Sequence, residues 1–129
     1  MRFLSAWGPA LIWMAATFYA SHQSAVSIPL GAPDYVAHGV SYAGLGVMLM
    51  RALAGGRLSL MSWRHVVLAT VIGGVYGISD EFHQSFVPGR HSSLSDIAAD
   101  TVGALVGACG AAVLGRRLRT KHSGSSTEH

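Results

Sequence analysis

The ionisable residues of this chain recur in short groups whose spacing fits a helix. Asp34, His38 and Tyr42 are four residues apart, and Asp96 and Asp100 repeat that interval. Residues at i, i+4 and i+8 share one helical face. Carboxylates and imidazoles on such a face can ligate a divalent cation such as Zn²⁺ or Mn²⁺, act as general acids or bases, or hydrogen-bond to a neighbouring helix. Each of these chemistries requires that the fold bring the groups together.

A second group of polar residues precedes a predicted reversal of the chain. The run DEFHQ begins at Asp80. On a helix, Asp80 shares a face with His83 and Gln84, while Glu81 points roughly 100° away. A Pro-Gly-Arg turn ending at Arg90 follows, in which proline presets φ and glycine permits a positive φ. This turn is predicted to return Arg90 toward the acidic run.

The last polar group opens a further predicted helix. Ser93 fits an N-cap, and Asp96, three residues later, fits its capping-box partner. Antiparallel connections place the start of this helix, the end of the preceding one and the start of the helix at Asp34 at the same face. The predicted core of the site is Asp80, Glu81, Gln84, Arg90 and Asp96, with Asp34, His38, Tyr42 and Asp100 beside it.

The elements that must position these residues are visible in the distribution of apolar residues. Of the 129 residues, 50% are hydrophobic and 12% are charged, whereas soluble domains carry about 25% charged residues. Apolar blocks cover roughly residues 3–20, 35–50, 65–79 and 97–115, and a membrane span needs about 20 residues. The first block lacks a small-x-small cleavage site and is interpreted as an uncleaved helix. The sequence predicts an all-α integral membrane bundle of four transmembrane helices over 1–119, with a disordered cytoplasmic tail over 120–129.

Basic and acidic residues segregate to opposite ends of the predicted helices. Arginines precede the first block, surround the loop between the second and third, and follow the fourth, whereas Arg90 is the one basic residue on the other side. Basic loops remain in the cytoplasm, so the chain is predicted to be a multi-pass protein of the cytoplasmic membrane with both termini inside. On three helices about 15 uncharged residues, or about 22–24 Å, separate the outer acid from the inner arginine. This is shorter than the hydrocarbon core of about 30 Å and predicts a polar cavity that opens outward.

Small residues recur at four-residue intervals along the predicted helices. The positions are Ala99, Gly103, Gly107, Ala111 and Gly115 on the fourth block, Gly73 and Gly77 on the third, and Gly39 and Ala43 on the second. Small residues let helix backbones approach closely in a membrane. These ladders are therefore predicted to be packing surfaces.

The polar motifs resemble those of the VanZ-like family. That family's pattern combines D-K-x-x-H-x-x-x-Y, D-E-x-x-Q, a Pro-Gly-Arg turn and D-x-x-x-N-x-x-G. The matching residues are Asp34, His38 and Tyr42, then Asp80, Glu81 and Gln84, then Pro88, Gly89 and Arg90, and finally Asp96 and Gly103. Tyr35 replaces the family's Lys and Asp100 its Asn, and both changes make the cluster more acidic. The resemblance covers residues 34–107 and implies a bacterial integral membrane protein, related to one linked to low-level teicoplanin resistance. It implies no particular reaction.

Three interpretations of the cluster remain open at this stage. It could be structural glue between helices. It could bind an amphiphile, either a lipid-linked wall intermediate or an acylated glycopeptide, with Arg90 pairing to a phosphate. It could also be the active site of a metal-assisted enzyme that acts on a lipid headgroup, although no HExxH, P-loop or Ser-His-Asp spacing is present. The candidate metal ligands are His38, Asp80, Glu81, His83 and Asp96.

The predicted partners follow from the same features. The lipid bilayer surrounds the helices, and an amphiphilic ligand occupies the outer end. No motif indicates nucleic-acid binding, and the basic segment that follows the fourth block is too short to indicate it. The sequence is compatible with a monomer or an oligomer.

Overall fold

The computed structural model of the chain describes residues 2–23 and 34–124. Within these two ranges the chain folds into four α-helices and has no strand. The helices are α1 (Arg2–Ser21), α2 (Asp34–Leu53), α3 (Trp63–Gln84) and α4 (Leu94–Gly124), and a 3-10 turn at Leu58–Leu60 connects α2 to α3. The all-α class and the four-helix architecture predicted from the sequence are confirmed.

Three of the four helices are long and apolar enough to cross a membrane. The apolar segments are Phe3–Ser21, Asp34–Leu53 and Leu94–Thr120. Helix α3 has 22 residues, but Arg64 and His65 at its start and Asp80 and Glu81 near its end lower its hydropathy. Helix α3, which carries the acidic run, is therefore the one of these four helices that is not apolar enough to meet this criterion.

Helix α4 extends beyond the apolar block from which it was predicted. It continues to Gly124, so the first residues of the tail predicted to be disordered from position 120 are helical. Arginine, leucine and lysine are good helix formers, and neither proline nor glycine interrupts residues 116–123. The Arg116 guanidinium also lies 5.1 Å from the ring centroid of Trp63 on α3. Residues 125–129 of the predicted tail lie outside the described residues.

Helices α2 and α4 form the closest contact in the bundle. A Cβ atom added at Gly103 would collide with the Gly39 carbonyl oxygen, and one added at Gly107 would collide with the Ala43 carbonyl oxygen. Backbone therefore packs directly on backbone along this interface. The packing role predicted for the small-residue ladders of the second and fourth blocks is confirmed.

Helix α3 packs on a second face of α4, again through glycines. A Cβ atom at Gly73 would lie 2.6 Å from Ala104 Cβ. One helical turn further on, a Cβ atom at Gly77 would lie 2.8 Å from Asp100 Oδ2. The contact at Gly77 shows that this glycine, which has no side chain, leaves room for the Asp100 carboxylate.

Helix α1 is attached to the bundle by side-chain hydrogen bonds and by the burial of Ala6 and Ala10. Trp13 Nε1 donates to the Ser41 carbonyl at 3.0 Å, and Tyr76 Oη donates to the Met14 carbonyl at 2.7 Å. The apolar side chains of α1 are largely exposed, including Phe3, Leu4, Ile12 and Tyr19. This exposure suits a helix that faces lipid.

A proline near the start of α1 is accommodated by an arginine from α2. Pro9 has no N–H to donate to the Ser5 carbonyl four residues earlier. Arg51 Nη1 donates instead to the Ser5 carbonyl at 2.8 Å and to the Ala6 carbonyl at 3.0 Å. The arginine therefore ties the start of α1 to the end of α2.

The antiparallel order of the helices produces two chemically different ends. We call the end that holds Asp34, Asp80, Glu81, Asp96 and Asp100 the acidic end, and the end that holds Arg51, Arg57, Arg64, Arg116 and Arg117 the basic end. The acidic end combines the C-terminal ends of α1 and α3 with the N-terminal ends of α2 and α4. All of the residues predicted to form the site lie there.

Candidate functional site at the acidic end

His38, Glu81 and Asp100 form the centre of the acidic end. His38 Nδ1 lies 2.9 Å from Asp100 Oδ1 and 3.9 Å from Glu81 Oε1. The second turns of α2 and α4 and the last turn of α3 supply these side chains. All three are buried. Their ligand atoms lie within 4.8 Å of one another, which is a separation that one metal ion can bridge.

The start of α4 is connected to this centre through Glu81. Helix α4 begins directly after Ser93, as expected for an N-cap. The Ser93 N–H, however, donates to Glu81 Oε2 at 2.9 Å. A carboxylate from α3 thus takes the place predicted for Asp96, because the antiparallel turn brings the end of α3 against the start of α4.

Asp34, His38 and Asp96 form a second ligand set beside the first. Their ligand atoms also lie within 4.8 Å of one another, and His38 belongs to both sets. Arg90 Nη1 lies 3.5 Å from Asp34 Oδ2. Gly89 has a φ of 82°, so the predicted turn forms and returns Arg90 to the acidic residues.

Asp80 and Gln84 are engaged by a residue that was not predicted. Ser21 Oγ, at the end of α1, donates to the Asp80 carboxylate, with distances of 2.7 Å to Oδ1 and 2.6 Å to Oδ2. Gln84 Nε2 lies 3.3 Å from Ser21 Oγ and 3.3 Å from Asp80 Oδ2. Asp80 therefore belongs to a hydrogen-bonded link between α1 and α3 and to neither ligand set. The only sequence signal for Ser21 was its place at the outer end of the first apolar block.

His83 lies apart from the centre, although it was a candidate metal ligand. Its Nε2 is 3.2 Å from His22 Nδ1, and its ring packs against Phe18 with centroids 4.4 Å apart. Residues two apart diverge by roughly 160° around a helix, so His83 points away from Glu81 and, like Asp80, faces α1. The structure therefore excludes Asp80 and His83 from the candidate metal ligands and adds Asp34 and Asp100.

A comparison with known protein families identifies the family of the chain. The model of the VanZ/LLP1 family matches residues 6–115. The chain belongs to the VanZ/LLP1 family. The matched range contains every residue of the acidic end and nearly all of the helical bundle, so the resemblance seen in the polar motifs is confirmed. No curated protein and no solved structure gives a significant match.

The acidic end of this VanZ/LLP1 chain holds polar atoms that have no protein partner. Within the described ranges, the buried side-chain atoms that lack a hydrogen bond are Tyr42 Oη, Glu81 Oε1, Arg90 Nε and Asp100 Oδ2. An unsatisfied buried polar group costs about 1–3 kcal/mol. Because all of these atoms belong to one cluster, that cluster has unused capacity to bind a ligand.

A cavity of about 160 Å³ lies at the acidic end of the VanZ/LLP1 fold, and Tyr42 and Arg90 are the two of these four residues that line it. Its polar wall comes from α2, α3 and the turn before α4, and its remaining wall comes from the last turns of α1. The lining residues include Asp34, His38, Tyr42, Asp80 and Arg90 on one side and Thr17, Ala20 and Ser21 on the other. The cavity thus lies at the junction of α1 with the polar cluster.

Proposed function

We propose that this VanZ/LLP1 protein binds the headgroup of an amphiphile at its acidic end, in the outer half of the bacterial cytoplasmic membrane. The observation that carries the proposal is a cavity with charged and polar side chains in its wall, at one end of a bundle whose outer surface is apolar. A polar headgroup can enter this cavity while its hydrocarbon chain stays in the bilayer. The family's link to teicoplanin resistance fits such a role, since that phenotype concerns the cell envelope.

The chemistry of the cavity favours a headgroup that carries an anion. Arg90 lines the cavity, and its buried Nε has no partner within the described ranges. Arginine binds phosphate and carboxylate through charge-assisted hydrogen bonds. Asp34 beside it can accept hydrogen bonds from hydroxyl or amine groups of the same headgroup.

The size of the cavity limits what can enter it. Ligand pockets usually measure about 300–1,000 Å³, whereas this cavity measures about 160 Å³. Only part of a headgroup, such as one phosphate or carboxylate, fits inside. The sugar and peptide portions of a lipid-linked wall intermediate, or the bulk of an acylated glycopeptide, would remain outside the cavity.

The unpartnered atoms argue against a purely structural cluster. A network that only fixes helices gains nothing from leaving Tyr42 Oη and Glu81 Oε1 without partners. The Ser21–Asp80–Gln84 link shows what a satisfied structural network looks like in the same fold. The two arrangements lie side by side, and both border the cavity, the satisfied one through Ser21 and Asp80 and the other through Tyr42 and Arg90.

The proposed orientation rests on the distribution of arginines. The basic end faces the cytoplasm by the positive-inside rule, so the acidic end faces outward. Green fluorescent protein fused after Lys121 should fluoresce, whereas alkaline phosphatase at the same position should be inactive. The opposite pair of results would place the cavity on the cytoplasmic side and refute this part of the proposal.

Binding can be tested with a polyprenyl phosphate as the probe. Native mass spectrometry of the detergent-solubilised protein should show one bound lipid, and Arg90→Ala should weaken that binding at least tenfold. Arg57→Ala, at the basic end, is the matched control and should bind as the wild type does. Equal binding by the wild type and Arg90→Ala would rule out the assigned role of Arg90.

A cellular test addresses the resistance phenotype directly. In a host whose teicoplanin sensitivity responds to the wild-type protein, Glu81→Gln and Asp96→Asn should each abolish the response, because both keep the shape of the side chain and remove its charge. Membrane levels of each variant, measured by immunoblot, should equal those of the wild type. A wild-type response from both variants would mean that the acidic end is scaffold.

A further inference from the structure

We propose that His38, Glu81 and Asp100 bind one divalent transition-metal ion, of the Zn²⁺ or Mn²⁺ class, at the centre of the acidic end. The ion is a component of the protein itself, so this proposal does not depend on the amphiphile. It selects one of the two ligand sets found at the acidic end. The evidence is the geometry, burial, unpartnered atoms and charge of these residues.

The spacing of the ligand atoms fits a single ion. Two ligands bound to one Zn²⁺ at about 2.0–2.1 Å in tetrahedral geometry lie about 3.3–3.4 Å apart. His38 Nδ1 lies 2.9 Å from Asp100 Oδ1 and 3.9 Å from Glu81 Oε1, so the two observed separations bracket this value. Small rotations of the carboxylates would equalise them.

The hydrogen bonding of Glu81 prepares one of its oxygens for a ligand. Oε2 accepts the Ser93 N–H at 2.9 Å, which fixes the orientation of the carboxylate. Oε1 is the oxygen that faces His38, and it is buried without a partner among the described residues. Carboxylates that bind metals are commonly held in this way through their other oxygen.

The charge balance at this centre favours a bound cation. The acidic end carries five carboxylates, and Arg90, its only arginine, lies against Asp34 at 3.5 Å. Glu81 and Asp100 are almost completely buried, with 1% and 0% exposure. Among the described residues, the neighbour within 4 Å of both that can become positive is His38. Buried carboxylates without counter-ions are strongly unfavourable, and one divalent ion neutralises both of these.

The direction of helix α3 makes a negative charge at Glu81 still less favourable. Asp100 lies in the second turn of α4 and Asp34 begins α2, near helix N-termini, which favour negative charge. Glu81 lies in the last turn of α3, where the helix dipole opposes a negative charge. The carboxylate that its own helix dipole opposes is thus the one whose unpartnered oxygen faces the proposed ion.

The composition of the ligand set selects the class of ion. One imidazole with two carboxylates suits Zn²⁺ and Mn²⁺ better than Ca²⁺, which prefers a shell of oxygen ligands. Three protein ligands also leave coordination positions for water or for an oxygen of a bound headgroup. By the general order of affinities, Zn²⁺ should bind more tightly than Mn²⁺.

The test measures metal bound to the full-length protein, purified with a tag that contains no histidine. After removal of metal by a chelator and incubation with Zn²⁺, elemental analysis should find about one ion per chain. Glu81→Gln and Asp100→Asn should each reduce this amount at least tenfold. Asp80→Asn is the matched control, because Asp80 is equally buried but lies in neither ligand set, and it should retain the ion.

Two further measurements keep the proposal testable. His83→Gln should retain the ion, and loss of binding in this variant would place the metal on the His22–His83 pair and refute the proposal. If the acidic variants fail to fold, Mn²⁺ bound to the wild type should show coupling to one imidazole nitrogen in pulsed electron paramagnetic resonance. A wild-type protein that binds less than a tenth of an ion per chain, or Mn²⁺ without nitrogen coupling, would overturn the assignment.

Discussion

Helices α4 and α1 are attached to the same bundle in different ways. In the apolar window of α4, 39% of the residues are buried, compared with 11% in α1. Helix α4 contacts α2 through backbone atoms at Gly103 and Gly107, whereas α1 buries the small residues Ala6 and Ala10 and makes side-chain hydrogen bonds such as that from Tyr76 to the Met14 carbonyl. The first attachment leaves no space between helices, and the second leaves a cavity.

The difference separates the part of the molecule that fixes geometry from the part that can admit a ligand. The charged residues of the acidic end belong to α2, α3, α4 and the turn before α4, while α1 contributes Thr17, Ala20 and Ser21 to the cavity wall. A displacement of α1 would therefore widen the cavity without disturbing the spacing of the charged groups. Four sets of substitutions test this division.

The largest effect is expected at the α2–α4 interface. Gly107→Leu would drive a side chain into the Ala43 carbonyl, and because backbone cannot move aside locally, we expect a loss of at least about 3 kcal/mol, at the upper end of overpacking effects. Gly110 is the matched control, because among the described residues nothing lies within 4 Å of a Cβ added there. In an SDS titration, Gly107→Leu should unfold at a lower SDS concentration than Gly110→Leu. Val106→Leu, at an exposed position of the same helix, should also be mild.

An intermediate effect is expected at the Ser21–Asp80 link between α1 and α3. Asp80→Ala removes the carboxylate that accepts from the Ser21 hydroxyl and the Gln84 amide. The hydroxyl then has the Thr17 carbonyl as its acceptor, and the loss should be about 1–3 kcal/mol. Ser21→Ala should cost about 1 kcal/mol, and the double variant should lose less than the sum of the two. Strict additivity in the same unfolding titration would show that the two side chains do not interact.

A smaller effect is expected from two tyrosines that differ in their hydroxyl partners. Tyr76→Phe removes the hydrogen bond to the Met14 carbonyl and should cost about 1 kcal/mol. Tyr42→Phe removes a buried hydroxyl that has no partner in the described part of the chain, and it should be neutral or stabilising. Comparison of the two melting temperatures is the measurement. A larger loss from Tyr42→Phe would show that its hydroxyl already has a structural role.

The smallest effect is expected at the start of α1. Arg51→Met removes the donor to the Ser5 and Ala6 carbonyls and should cost about 0.5–1.5 kcal/mol. Pro9→Ala restores an N–H for the Ser5 carbonyl, so Arg51→Met should cost less in the Pro9→Ala background. An unchanged cost of Arg51→Met in that background would show that the arginine does not compensate for the proline.

Much of the fold was readable from the sequence because the signals were local. Blocks of apolar residues predicted the helices, the Pro-Gly sequence before Arg90 predicted the turn, and glycines at four-residue intervals predicted the close contact of α2 and α4. The acidic end followed from antiparallel connections alone. The helical extension of α4 to Gly124 was missed, because hydropathy marks where a helix leaves the membrane and not where it ends.

The sequence did not predict in the same way which residues of the acidic end contact one another. Asp80 and Glu81 point in directions roughly 100° apart, and the sequence does not state how α3 is rotated against α4. The rotation is set by the contacts of Gly73 and Gly77. It directs Glu81 toward His38 and Asp80 toward Ser21. The partner role of Ser21 had no motif at all, since a lone serine near a helix end is common.

The geometry of the acidic end also depends on Gly77, a residue that carries no functional group. A methyl group there would lie 2.8 Å from Asp100 Oδ2 and 2.9 Å from Asp100 Cβ, so alanine would force that carboxylate to move. A homologue with alanine at this position would retain every acid, histidine and arginine of the polar motifs and still hold them differently. Inference of activity across relatives should therefore consider this glycine together with the charged residues.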